Sequence, residues 1–514
     1  MKAFLEKLVK ACPSMPFVAL GIWLAWAYIA YSGTAWLSDT ETNGANISTM
    51  YIVSTLAFGF ALLAATRRVP RAQDLIDRPA TVIAGGAVAS FGCLVIILIG
   101  PYYLTPLLPN EIIVALFYAA SALSGLGTSI VGLKCGQLYG SLPPRKAILY
   151  TALSHIVLAL VYFTVIGAPS WQPVAGGPSL VGILAFVGMP LIAAGAASLS
   201  FVASPCERDN RETSFACFPR SFWKLVAVTF VFSFVVVALR SMLVEVSPVD
   251  VTLDNTRLVM LLRMLMALVF AAAAIGIEGE RFDFGKIYSV IMATVVALIA
   301  LCPIVGVTHL GWSALVTFLS AVFEFVLWCI LAFVVYQRRI SAVLVFGLGY
   351  GVFMVGSGAG WLAGVHLFPQ IAVTANSIVL FSALAFAVLA CAFVLFSEKE
   401  FDRLFKPGGE GEATLDDLLG DELPSPQADD EAHGKKGRFG LAIDALAEEA
   451  GLSKREKDVL RCLAMGYDAG ATAKRLQVSW NTVRTHTRNV YAKLDIHARQ
   501  ELIALVDEAT DRLP

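Results

Sequence analysis

Charged residues are scarce in this chain. Asp, Glu, Lys and Arg make up 15% of its 514 residues, against 57% hydrophobic, whereas a soluble globular domain carries about 25% charge. That shortage excludes an ordinary soluble protein and points to the bilayer as solvent. Paired cysteines are lacking as well. The nine cysteines include no C-x-x-C pair and most lie in apolar runs, which favours small buried hydrophobes over metal ligands or a disulfide framework. Cys206 and Cys217 share one loop, where a cytoplasmic setting disfavours a redox pair. There is no phosphate-binding glycine loop, no nucleophile triad and no cluster of metal-ligating residues. No catalytic residue, metal or cofactor is therefore expected, and the protein reads as a non-enzyme. A cleavable signal peptide is not expected either: the first apolar run is too long, and many equal runs follow it.

Long apolar runs dominate what is there. Their cores lie at about 16–36, 47–65, 79–100, 110–133, 147–168, 179–202, 221–241, 257–277, 286–306, 310–335, 340–361 and 371–396. Each is near the ~20 residues that a helix needs to cross a bilayer, so twelve spans are predicted. Positive charge falls on alternate connections: Lys2, Lys7 and Lys10; Arg67, Arg68, Arg71 and Arg78; Lys134, Arg145 and Lys146; Arg208, Arg211 and Arg220; Arg281 and Lys286; Arg338 and Arg339. The intervening loops carry almost none apart from Arg257. This bias places the N-terminus in the cytoplasm, and twelve spans return the C-terminus there.

Few ionisable residues interrupt the spans, and those are functional candidates because charge is costly in lipid. Glu324 sits near the centre of span ten, Arg263 in span eight, Arg240 near the outer end of span seven and His155 in span five. A Glu324–Arg263 pair would either line a ligand cavity or lock two helices together, and His155 reads as a hydrogen-bonded packing residue. Lys134 is expected to reach back to the membrane surface. Trp23, Trp26, Trp36, Trp312 and Trp361 read mostly as interface belts. The glycine-rich runs SALSGLGTSIVG and GLGYGVFMVGSGAG permit close helix contact.

Net charge then divides the remainder. Residues through 397 hold 21 Lys and Arg against 16 Asp and Glu; residues 398–451 hold 6 against 15; residues 452–514 hold 11 against 8. The acidic, Pro- and Gly-punctuated stretch 398–451 reads as a flexible linker, with a helix near 439–450 that stops at Gly451. Three parts follow: a transmembrane domain at 1–397, the linker at 398–451 and a basic module at 452–514.

The module opens with a capping box, Ser453 followed by Glu456. Val459, Leu460 and Leu463 give the apolar face of a first helix that ends at Gly466. A short second helix covers about 469–476, Val478 and Ser479 make a turn, and Ser479 is a natural N-cap for a third helix from Trp480 to about Leu494. A fourth covers about 499–508. On the third helix Val483, Val490 and Leu494 form one stripe. Asn481, Arg484, Thr485, Arg488 and Ala492 recur at i, i+3, i+4, i+7 and i+11 on the other side. That basic face, with small residues between the arginines, suits a major groove. A solvated face of a plain helical bundle is the alternative, and the short helices, tight turn and capped third helix argue against it.

Two resemblances emerge. Six plus six spans around the longer cytoplasmic loop 203–220 resemble the major facilitator superfamily. That family's signature between spans two and three is replaced here by ATRRVPRAQDLIDRP. The terminal block resembles the LuxR-type DNA-binding domain. The matching residues are Leu452-Ser453, Arg455-Glu456, Val459-Leu460, Gly466, Ala473, Leu476, Val478-Ser479, Thr482-Val483-Arg484, His486, Val490 and Lys493-Leu494. Thr472 and Gly470-Ala471 depart from it. The implied fold is all-α: a polytopic twelve-helix bundle, 6+6 and major-facilitator-like, followed by a four-helix helix-turn-helix domain. The LuxR resemblance implies that Arg484, Thr485 and Arg488 face bases, that Thr482 and Lys493 contact phosphates and that His486 is structural. It also implies that Leu502 and Val506 help form a homodimer on two-fold-related half-sites of double-stranded DNA. No receiver pattern precedes the module, so its signal is expected from the membrane part. The expected protein is a bacterial, multi-pass, cytoplasmic-membrane one-component regulator that senses an unknown small molecule. The alternative is a secondary transporter with a regulatory DNA-binding tail.

Overall fold

The computed structural model describes residues 11–32, 46–99, 108–166, 179–203, 213–246, 249–276, 293–297, 310–368, 377–390, 404, 443–464, 472, 480–494, 496, 501–502, 505–506 and 509. These residues are nearly all helical, and they divide into two compact units, Met1–Thr414 and Leu415–Pro514.

In the first unit the helices are α1 Val18–Ser32, α2 Ile47–Thr66, α3 Val69–Ile76, α4 Pro79–Ile99, α5 Asn110–Gly140, α6 Pro144–Ile166, α7 Leu180–Ser198, α8 Arg220–Val246, α9 Val249–Gly276, α10 Leu310–Arg338, α11 Ala342–His366 and α12 Ser377–Ala390. Eleven of the twelve predicted span cores fall on these helices. The ninth, 286–306, lies outside the described residues apart from a helical piece at 293–297. Among the described residues nine helices are long and apolar enough to cross a membrane. The amphipathic α3 sits in the connection between two of them, burying Val69 and Ile76.

Polar caps set several helix starts. Asn46 Oδ1 accepts from Thr49 N–H at 2.8 Å, Ser179 Oγ from Gly182 N–H at 3.2 Å and Ser341 Oγ from Val343 N–H at 3.3 Å, satisfying amides that a helix leaves unpaired. The two halves meet where α2 runs along α11 and α6 along α9. Glycines permit the closest approaches. A Cβ at Gly125 of α5 would collide with the Ser54 carbonyl of α2, and one at Gly360 of α11 with the Phe234 carbonyl of α8. On the loop side, Arg145 of α6 donates to the carbonyls of Ala274 and Ile275 at the end of α9, both at 2.5 Å.

Two sequence expectations are corrected here. The Lys134 side chain does not reach outward to water; it is 4% exposed. The reason is that α5 continues to Gly140, about 46 Å of helix against a hydrocarbon core of about 30 Å, and this extension is packed by protein. The Lys134 ammonium donates to Gln137 Oε1 at 2.8 Å and lies 4.0 Å from the Phe201 ring centre. Trp23, Trp26 and Trp361 are likewise not belt residues, being buried to 2–3% exposure. Their rings fill the space between helices: Trp23 stacks on Phe58, and Trp26 Nε1 donates to the Phe186 carbonyl at 3.0 Å.

The second unit has its own core. Helix α13 spans 443–449, α14 is Lys454–Ala464 and α15 is Trp480–Lys493. Ile443, Leu446, Val459, Leu460, Leu463, Val490, Ile496, Leu502 and Val506 pack together. Gly451, at φ 61°, ends α13: its N–H reaches the Glu448 carbonyl at 3.2 Å and Leu452 N–H reaches the Ala447 carbonyl at 2.8 Å. This is the paired closure that a left-handed residue allows after a helix. Helix α13 therefore belongs to the terminal unit. The predicted second helix, apart from Thr472, the turn at Val478–Ser479 and most of the acidic linker lie outside the described residues.

Candidate DNA-binding face and membrane cavity

Both halves of the capping box form. Ser453 N–H donates to Glu456 Oε2 at 2.8 Å and Glu456 N–H to Ser453 Oγ at 3.4 Å. A third partner then joins: Lys493 Nζ, at the far end of α15, donates to Glu456 Oε2 at 2.8 Å and to the Gly451 carbonyl at 3.0 Å. The Lys493 ammonium, helped by the Ser453 backbone N–H, holds the Glu456 carboxyl down at about 2. This junction fastens the end of α15 to the start of α14. Nothing in the spacing pointed to it, because the partners are 37 residues apart. Asp444 of α13 pairs with Lys457 at 2.9 Å and Arg461 at 3.2 Å. Both pairs are exposed, so they orient α13 more than they stabilise it.

Helix α15 is anchored by Val483 and Val490, both 0% exposed. At 100° per residue, Asn481, Arg484, Thr485, Arg488 and Ala492 lie within about 100° of one another, on the side roughly opposite those valines. Thr485 and Arg488 are exposed, while Thr482 and His486 are half-buried. The side chains of Asn481 and Arg484 lie outside the described residues. The His486 Nδ1 is buried without a hydrogen-bond partner among the described residues. Lys493 is engaged within the module. Leu502 and Val506 are 0% and 1% exposed, packed with the module's own core.

In the membrane unit, Arg263 Nη2 donates to Glu324 Oε2 at 2.9 Å, joining α9 to α10. Tyr350 of α11 donates to Glu324 Oε1, also at 2.9 Å. The Arg263 guanidinium lies 4.4 Å from the ring centre of Tyr28 on α1; at 1% exposure, its Nε and Nη1 have no hydrogen-bond partner among the described residues. In front of this cluster lies a cavity of about 80 Å³ lined by Glu324, Arg240, Tyr28, Tyr31, Tyr51 and Phe353, among others. Arg240 rests over Trp361, 5.5 Å from its ring centre. Thus Glu324 and Arg240 reach the cavity and Arg263 stands behind Glu324. His155 is elsewhere, buried with Nδ1 2.9 Å from the Thr151 carbonyl and its ring edge-on to Phe325. Tyr28 and Tyr350 escaped sequence reading, since a tyrosine in an apolar run carries no signal of what it faces. No group of three or more potential metal ligands occurs among the described residues.

Comparison with known proteins separates the two units. Residues 450–506 match the family described as bacterial regulatory proteins, luxR family. A Mycobacterium bovis protein named as an HTH-type transcriptional regulator is 46% identical over 61 residues, which is 12% of this chain and 7% of that protein. The chain therefore spans under a tenth of that relative, and the likeness is confined to the module. A solved bacterial homologue of the iron transporter ferroportin, in an outward-facing state, matches with a TM-score of 0.51 at 11% identity, covering 78% of this chain and 99% of that one. The major facilitator proton:xylose symporter XylE matches at 0.48 and 13%, covering 76% and 98%. At these identities the likeness concerns the fold alone: the first unit shares the fold of the solved ferroportin homologue, and residues 450–506 match the luxR family.

Proposed function

We propose that the protein is a one-component transcription regulator held in the membrane, whose terminal module reads DNA under the control of a small molecule bound by the helical bundle. The observation that carries this reading is the union, in one chain, of a luxR-type module and a major-facilitator-like unit with a charged, aromatic-walled cavity. Arg484, Thr485 and Arg488, with Asn481, enter the major groove, and Thr482 meets phosphate. Arginine there reads guanine, and threonine methyl meets thymine. Lys493 contacts phosphate only if it leaves Glu456. A homodimer on two-fold-related half-sites fits the docking geometry of such modules, with the stretch that carries Leu502 and Val506 at its interface. The charge bias of the loops supports cytoplasmic termini in a bacterial inner membrane. Domain limits of 1–397, 398–451 and 452–514 follow from composition, with α13 added to the module. Chromatin pull-down of the intact protein, with and without candidate ligands, tests the reading. Enriched sites whose occupancy changes with a ligand support it, and no enriched site in any condition refutes it.

The buried Glu324–Arg263–Tyr350 cluster beside the cavity favours one second reading, a secondary transporter with a regulatory tail. Uptake into vesicles that Glu324→Gln abolishes would establish it.

A further inference from the structure

We propose that the cavity accepts a small organic anion, a monocarboxylate on an aromatic or apolar body, and that Arg240 recognises its charge. This rests on the small-molecule reading above and names the ligand class.

The charges around the cavity do not balance. Glu324 is satisfied at both oxygens, by Arg263 at 2.9 Å and by Tyr350 at 2.9 Å. Arg263 already neutralises its charge, so a cationic ligand would meet no unpaired anion there. Arg240 is different. Its guanidinium lies 5.5 Å from the Trp361 ring centre, and no carboxylate among the described residues pairs with it. A half-buried cation with no counter-ion among the described residues is costly, and an anionic ligand supplies a compensating charge. A guanidinium with no carboxylate partner among the described residues has N–H groups for the bidentate contact that suits a carboxylate. The walls beside it are the rings of Tyr28, Tyr31, Tyr51 and Phe353, a surface for an aromatic or apolar body. About 80 Å³ is several times the ~10–15 Å³ that one water requires, so the space holds more than a water.

Intact protein in lipid nanodiscs is titrated by calorimetry with benzoate, phenylacetate, neutral benzamide and cationic benzylammonium. Tryptophan fluorescence serves as a second reading, because Trp23 lines the cavity and Trp361 lies under Arg240. The carboxylates are expected to bind about 10- to 100-fold more tightly than benzamide, the range for a hydrogen bond to a charged group. Arg240→Gln should erase that preference, and Arg240→Lys should keep part of it. The comparison among probes needs no variant, so it stands even if Arg240→Gln does not fold. Benzamide or benzylammonium binding as well as benzoate overturns the anion assignment while leaving the cavity as a ligand site. Saturable binding by none of the four overturns both the assignment and the small-molecule reading.

Discussion

Replacing Glu456 by Gln tests whether the junction between α14 and α15 holds the DNA-binding module together. The amide oxygen still accepts from Ser453 N–H, but the charge facing Lys493 is lost. A carboxyl held at about 2 instead of its ordinary 4.5 corresponds to about 3 kcal/mol if the whole effect were stability. The Lys493 side chain is 40% exposed, and water screens such a pair, which brings the expected cost to about 1–1.5 kcal/mol. For a unit of this size that lowers Tm by roughly 4–10 °C at neutral pH. The sign follows from the direction of the shift. The folded carboxyl is depressed, so its contribution is complete above its ordinary value near 4.5 and disappears as pH falls toward about 2. The stability gap between wild type and Glu456→Gln should therefore be flat above about pH 5 and close on acidification. Urea and thermal unfolding of the 415–514 fragment, followed by circular dichroism from pH 7 to pH 2.5, provides the assay. A cycle with Lys493→Met should give a coupling of about 1 kcal/mol. Equal stability at pH 7, or a gap undiminished at pH 2.5, would refute the reasoning.

Other outcomes are as specific. Leu502→Ala should destabilise the terminal unit by about 2–5 kcal/mol, because it opens a cavity in the core; analytical ultracentrifugation showing a dissociated but equally stable unit would restore the residue to an interface. Arg488→Ala should weaken operator binding by about 1–3 kcal/mol and relax preference at one base position, and a gel shift with site preference intact would count against its reading role. Glu324→Gln should lower the thermal stability of the membrane unit by about 3–5 kcal/mol, because it strands the buried Arg263 charge, whereas Glu324→Leu combined with Arg263→Met should cost much less. Gly360→Val should impair monodisperse expression, since a side chain there meets the α8 backbone; normal chromatographic behaviour would argue that α8 and α11 pack less closely.

The helical bundle was legible in the sequence because lipid imposes a one-dimensional rule. A span must be about twenty apolar residues long whatever surrounds it, so the span cores could be placed without knowing a single contact. The module was legible for a related reason. Capping at Ser453 and Glu456 and the two faces of Trp480–Lys493 are local, set by residues three to eleven apart. The failures share the opposite cause. Lys134 and the tryptophans were placed by amphipathic tendency, and neighbouring helices overrode it. Leu502 and Val506 were placed by resemblance, and their packing in the module's core could not be read from the sequence.

Sequence alone determined the element types, the order of the two units and the chemistry of the α15 face, because periodicity and capping act within one or two turns of helix. Only the tertiary structure decided which polar groups meet. It set Lys493 on Glu456 across 37 residues, Arg263 on Glu324 across 61 and Arg240 on a cavity wall with no carboxylate partner among the described residues. Those pairings depend on how helices pack against one another, and helix packing is a property of surfaces assembled from distant segments rather than of any stretch of chain.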